Sequence, residues 1–193
     1  MKKTVSSIFL ALLFGYSATA TTPIDDEKKE VKVSESKVTW KGYKVTGSHD
    51  GTIDLKSGFL MMDGNKLTGG EFVIDMTSIT NTDMTSGNGK EKLEGHLKSD
   101  DFFGVENHPT AKLVIKSSET FNKNSYTVKG DLTIKGITKP VTFVLSMFEN
   151  KATATMKVDR SKFDVRYGSG SFFDDLGDKT IYDDFDLVVD LAL

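Results

Sequence analysis

The sequence predicts an all-β protein, an eight-stranded antiparallel β-barrel with one or two short helices between strands. Three observations carry this. Apolar residues alternate with polar ones at period two along about eight segments, the pattern of strands with one buried face. Most of these segments are joined by hairpin-length turn signals. Only one stretch, between Asn88 and Pro109, changes to helical spacing. Eight antiparallel strands commonly close on themselves, because closure removes exposed edges.

The elements follow in chain order. Lys2 and Lys3 precede an apolar run from Ile8 to Phe14, and Ala18-Thr19-Ala20 offers small residues for cleavage, so residues 1–20 read as a secretory signal peptide. The run falls well short of the roughly 20 apolar residues a spanning helix needs. Residues 21–36 are polar and charged and read as a flexible leader, with Val31 and Val33 available to join the first strand. The barrel domain is expected over residues 37–193. Val38-Thr39-Trp40 alternates, and Gly42 bends the strand. The next strand, His49 to Met62, carries Ile53, Leu55, Phe59 and Met61 on one face. Asp63-Gly64-Asn65 turns the chain into Lys66 to Met76, with Phe72, Ile74 and Met76 aligned and a bulge at Gly69-Gly70.

The helical stretch places Leu93 and Leu97 four apart on one face. Asn88 and Glu91 are read as its capping pair, and Ser99 as the cap of a second short turn with Asp100 and Asp101 behind it. Phe102 and Phe103 are its apolar anchors. His108-Pro109 stops the helical pattern. From Thr110 the period is two again: Ala111, Leu113 and Ile115 point one way. Val128, Leu132 and Ile134 align on the next strand, and Lys135-Gly136 makes a two-residue turn. Val141, Phe143, Leu145 and Met147 follow, then Ala152, Ala154, Met156 and Val158. A long loop covers Ser169 to Asp178. The last strand aligns Phe185, Leu187, Val189 and Leu191.

Composition excludes several kinds of chemistry. The chain has 193 residues and no cysteine, so it has neither disulfide nor thiol. Removing the signal segment takes away Lys2 and Lys3 and no acid, which moves the formal charge from −3 to −5. A mildly acidic surface argues against nucleic acid as a partner. The three histidines, His49, His96 and His108, show no compact ligand spacing such as HExxH. No metal and no cofactor are expected, and the histidines are expected to cap or brace the helical stretch. The serines lack G-x-S-x-G and S-x-x-K. Asp100-Asp101, Asp174-Asp175 and Asp183-Asp184 are neighbours in sequence, and on a strand neighbours point to opposite faces. No catalytic residue is assigned and the protein is not expected to be an enzyme. Arg160 and Arg166 are the only arginines, in the run RSKFDVRY beside Phe163 and Tyr167. That clustering makes a polar mouth for an anionic or oxygen-rich head group one reading, and structural ion pairs with Asp159 or Asp164 the other.

The motifs HLKSDDFF (His96 to Phe103), HPTA (His108 to Ala111) and GDLTIKGITKPVTF (Gly130 to Phe143) occur in this order. Over Lys37 to the C-terminus the chain closely resembles the YceI-like family of polyisoprenoid-binding, lipocalin-like periplasmic proteins. Most alternating faces line a packed core, and alternation alone does not separate that from a lined tunnel. The resemblance implies the tunnel: an elongated apolar cavity that takes an isoprenoid-type amphiphile, polyprenyl or quinone-like. Its walls would be Phe59, Phe72, Ile74, Met76, Leu113, Ile115, Leu132, Ile134, Phe143, Leu145, Ala154, Met156, Phe163, Phe185 and Leu187. Arg160, Arg166 and Tyr167 are the head-group candidates. The family has a similar Arg-x-x-Phe, often followed by glycine, where this chain has Asp164, so the bend after Phe163 is expected to differ. The resemblance also implies a periplasmic or secreted protein that does not span the membrane, and it is compatible with a homodimer. Two alternatives stand beside lipid carriage: a ligandless stress or interaction module with a filled barrel, and a quinone-delivery partner of a membrane redox protein.

Cleavage after Ala20 gives a mature chain that begins at Thr21. The intact mass of the protein from its native compartment should match that start, and a soluble form retaining residues 1–20 would refute it.

Overall fold

The computed structural model describes residues 26–193, so the signal segment and the start of the leader lie outside the described residues. Among the described residues there are nine strands and one α-helix: β1 (Glu27–Glu30), β2 (Lys37–Lys44), β3 (Gly47–Asp63), β4 (Lys66–Asn81), α1 (Lys90–Lys98), β5 (Thr110–Asn122), β6 (Ser125–Ile134), β7 (Ile137–Phe148), β8 (Lys151–Asp159) and β9 (Ile181–Ala192). From β2 onward each strand pairs antiparallel with its successor, and β9 returns to β2. The result is a closed up-and-down ring of eight strands. Closure leaves no edge inside the ring unpaired, which is the physical reason an eight-strand meander adopts it.

The turns form where their residues permit. Lys135 and Gly136 both take positive φ, 52° and 75°, as a two-residue hairpin turn of right-handed twist requires. Gly64, at φ 56°, turns β3 into β4.

Three local expectations are corrected. The leader is not free along its described length. β1 pairs with β3 from Glu27↔Met62 to Glu30↔Phe59, on the edge that β2 occupies further along. Val31 is buried and its N–H donates to the Gly58 carbonyl at 2.9 Å. Phe59 and Met61 do not share a face with Ile53 and Leu55. Leu55 opposes Ile74 and Gly58 opposes Phe72, so the register shifts at Lys56 and the inward set becomes Gly58, Leu60 and Met62. Third, Asn88 and Glu91 do not form a capping pair. Gly89, at φ 94°, stands at the N-cap without a side-chain bond, while Glu91 accepts from the Ser86 hydroxyl and the Gly87 N–H. Asn88 donates instead to Thr85 Oγ1 at 2.7 Å. Ser99 ends α1, its hydroxyl donating back to the His96 carbonyl at 2.7 Å.

Trp40 sets how closely β3 and β4 approach at one end of the ring. Its Nε1 donates to the Thr80 carbonyl at 3.2 Å. A Cβ on Gly51 would lie 1.9 Å from that carbonyl oxygen and 2.6 Å from the indole ring. Only a residue without a side chain fits there. Gly51→Ala should therefore reach the upper end of the usual overpacking cost, about 3 kcal/mol, read as a fall in the denaturant midpoint at unchanged slope. An unchanged midpoint would show that the indole does not pack against Gly51.

Candidate functional site

The ring is not filled. Two cavities lie in line along its interior, of about 130 Å³ and about 70 Å³. They share Val38, Ile74, Leu132 and Leu187 as walls, and so adjoin as an apolar tube that these side chains narrow at its middle. The larger cavity sits under α1 and the turn that follows it. Met76, Ile134 and Phe185 reach it from the strands, and Leu97, Phe102 and Phe103 close it from above. The smaller lies deeper, among Phe72, Leu113, Ile115, Phe143, Leu145, Ala154 and Met156. All these strand residues are the ones the alternation pattern assigns to the interior.

Two predicted wall residues lie elsewhere. Phe59 is on the outer side of β3, where Lys28 Nζ stands 4.2 Å from its ring centroid, because of the bulge at Lys56. Phe163 is buried but belongs to neither cavity wall. Conversely, Trp40, Ile53, Ile79, Phe102, Phe103, Val189 and Leu191 line the tube and are not among the predicted walls. For Ile53, Val189 and Leu191 the alternation already gave the signal. For Phe102 and Phe103 the only signal was their position as apolar anchors after the helix.

The lid is fastened by one carboxylate. Glu94 Oε1 accepts from the Thr80 hydroxyl at 2.5 Å and from the Asn81 N–H at 2.8 Å, tying α1 to the end of β4. These bonds, the Thr80 hydroxyl foremost, hold the Glu94 carboxyl below the ordinary glutamate value. Beyond the helix, Gly104 N–H donates to the Ser99 carbonyl at 2.8 Å, which folds Phe102 and Phe103 inward.

The structure separates the three head-group candidates. Arg160 is only 2 % exposed and faces the larger cavity. Its Nε, Nη1 and Nη2 donate to the carbonyls of Tyr182, Val165 and Ile181 at 3.2, 2.8 and 3.0 Å. Its carboxylate partner is Asp183, at 3.6 Å, rather than Asp159 or Asp164. Burial pulls its pKa down from the ordinary guanidinium value, opposed by the charges of Asp183 and Asp159. Arg166 and Tyr167 stand outside, in a surface groove shared with Asp101, Lys135 and Lys179. There Arg166 Nε pairs with Asp164 Oδ1 at 2.5 Å, and its guanidinium lies 5.1 Å from the Phe172 ring. Tyr167 packs edge-on against His96, centroids 4.2 Å apart, and His96 in turn meets Phe102 at 5.7 Å. The aromatic stack His96–Phe102 thus stands between groove and tube.

The histidines lie in separate settings. His49 Nδ1 is 3.0 Å from Asp83 Oδ2, and His108 packs beside Gly104 and Gly136. Among the described residues no three His, Asp or Glu side chains converge as metal ligands. Nor is any helix among them long and apolar enough to cross a membrane.

The description of the YceI-like domain family matches residues 24–193. The chain belongs to the YceI-like family. The match begins upstream of Lys37, so it takes in β1 and Val31, which the motifs did not reach. A relative from Pseudomonas putida, designated UPF0312 protein, is 31% identical over 146 residues, covering 74% of this chain and 71% of that protein. Several solved structures share the fold, among them the following two. One is Burkholderia cenocepacia BcnA, with TM-score 0.67, 22% identity, and coverage of 84% of this chain and 99% of that one. The other is a polyisoprenoid binding domain from Saccharophagus degradans implicated in plant cell wall breakdown, with TM-score 0.59, 13% identity, and coverage of 84% and 97%. Asp164 makes the bend after Phe163. It adopts the left-handed conformation that favours glycine, at φ 58° and ψ 30°, which aspartate tolerates better than most residues. The bend after Phe163 is therefore made by an aspartate in a glycine-like conformation.

The Glu94 latch has a pH signature. Because its folded pKa is depressed, its contribution is complete above the ordinary glutamate value of 4.5 and is lost as pH falls through the folded value. Glu94→Gln exchanges charge-assisted bonds for neutral ones and should cost about 1 kcal/mol at pH 7. Melting curves of both proteins should converge as pH falls below 4.5 toward the depressed folded value. An equal gap at all pH values would show that the charge of Glu94 does not fasten the lid.

Proposed function

We propose that this protein binds and carries an isoprenoid-type amphiphilic lipid inside the barrel, in the periplasm or a comparable extracytoplasmic space after loss of its signal peptide near Ala20. The observation that carries this is the tube. Its wall is apolar along its length, and the one charged side chain that faces it, Arg160, sits at the lid end. A polar or compact ligand finds nothing to bond in the deeper half. A flexible branched hydrocarbon fits such a space: burying one five-carbon isoprene unit contributes about 4 kcal/mol gross, at about 0.8 kcal/mol per carbon group. Ordering of the chain and loss of its translational freedom offset part of that. Met76 and Met156 in the wall are unbranched and adaptable, so the tube can widen around a guest. The polyisoprenoid binding domain of Saccharophagus degradans, built on the same fold, supports this choice of ligand class. Carriage needs no base and no nucleophile.

Ala154 tests the reading at the deeper cavity, whose wall it forms while 7 % exposed. In the ligand-free protein, Ala154→Trp should place its indole in the tube and change stability by less than about 1 kcal/mol, whereas in a filled interior overpacking costs about 1–3 kcal/mol. Binding of a polyprenyl probe should fall at least tenfold, a loss of about 1.4 kcal/mol. Thr155→Trp, on the exposed outer face, should leave both properties unchanged. A strongly destabilised Ala154→Trp that binds the probe as wild type does would contradict lipid carriage.

A further inference from the structure

We infer that the tube is a length gauge, and that its guest is a short isoprenoid of about two or three five-carbon units rather than a long polyprenyl chain. The gauge is set at the closed end of the ring by Leu60, Tyr126 and Val128, against which the tail of the guest stops. The inference rests on the lipid-carriage reading and adds the chain length of the guest.

The first part follows from volume. An apolar cavity of about 150 Å³ takes one benzene ring. The larger cavity here has about 130 Å³ and the smaller about 70 Å³. By that measure the two hold about eight carbons with their walls at rest, close to two isoprene units. Met76 and Met156 are unbranched and adaptable, and their movement makes room for a third unit. A fourth unit has no place while the cover is closed.

The second part follows from the packing beneath the deeper cavity. Leu60 and Val128 have no exposed surface, and neither lines a cavity. Leu60 abuts the wall directly. A Cβ at Gly70 would lie 3.2 Å from both Leu60 Cδ2 and Ile115 Cδ1, so those two side chains meet across the glycine. Val128 opposes Phe143 and Tyr126 opposes Leu145 in the β6–β7 ladder, and Phe143 and Leu145 are both wall residues. The Tyr126 hydroxyl donates to the Asn65 carbonyl, which pins the ring to the β3–β4 turn. The tube therefore ends on a close-packed layer that leaves no path through the ring. A longer tail gains further burial only by breaking this layer or by lifting the cover, which the bonds of Glu94 to Thr80 and Asn81 oppose.

The test titrates the delipidated full chain with geraniol, farnesol and geranylgeraniol, alcohols of two, three and four isoprene units. Trp40, the chain's one tryptophan, lines the larger cavity, so its emission reports filling of the tube. Co-elution of the alcohol with the protein on gel filtration is the second reading. Wild type should bind geranylgeraniol about tenfold more weakly than farnesol, although the longer alcohol has more hydrocarbon to remove from water. Leu60→Ala combined with Val128→Ala takes five carbons, one isoprene unit, out of the stop and should make geranylgeraniol bind about as tightly as farnesol. Ala154→Leu adds bulk to the wall of the deeper cavity and should make geraniol the tightest binder of the three. If the double variant does not fold, the wild-type order and Ala154→Leu decide. A wild type that binds geranylgeraniol as tightly as farnesol, a folded double variant with the wild-type order, or an Ala154→Leu with the wild-type order overturns the gauge and leaves lipid carriage standing. Unchanged Trp40 emission and no co-elution with any of the three alcohols overturns lipid carriage and the gauge with it.

Discussion

The pairing of β2 with β9, from Lys37↔Asp190 to Lys44↔Ile181, turns a meander into a closed ring. Closure fixes the circumference at eight strands, and with it the space that inward side chains must fill. At that size an interior is either packed solid or left with room for one guest. Here the inward residues of β8 are Ala152, Ala154, Met156 and Val158, and two of these four are alanines. Glycines also stand on the inner or contacting faces: a Cβ on Gly58 would meet the Phe72 ring at 2.6 Å. Large and small side chains are thus distributed so that the ring closes without filling.

A closed ring still has two ends, and they are treated differently. At the hairpin end between β3 and β4, Leu60, Met62 and Leu67 are buried. At the other end the chain spends two long excursions, residues 82–109 and 160–180, on a cover. The first supplies apolar side chains and is latched by Glu94. The second is tied down by Arg160, whose bonds to Val165, Ile181 and Tyr182 join the start of the excursion to the start of β9. One arginine therefore anchors the cover and faces the tube.

The strands, their turns and most inward faces were legible in the sequence because period-two alternation is local and needs no knowledge of partners. Leu113, Ile115, Leu132, Phe143 and Met156 stand where their parity puts them. Legibility failed where geometry depends on the opposing strand. The extra residue at Lys56 reverses parity and moved Phe59 outward, and no composition signal marks that bulge. The charged leader was expected to be flexible, with Val31 and Val33 available to join the first strand, yet an unoccupied length of β3 edge captured residues 27–30 as β1. The two arginines looked like one cluster because they are six residues apart. They diverge because Asp164 bends the chain between them, and because the partners of Arg160 lie some twenty residues downstream. A cavity, as distinct from a core, was not legible at all from alternation; the family resemblance supplied that expectation.

Whether the tube holds lipid in the cell is decided by what leaves the native protein on extraction. Protein purified without detergent from its native compartment, extracted with organic solvent and examined by mass spectrometry, should release a single class of isoprenoid lipid in close to equimolar amount. An extract free of such lipid, from protein that also fails to take up a polyprenyl probe, would contradict the account.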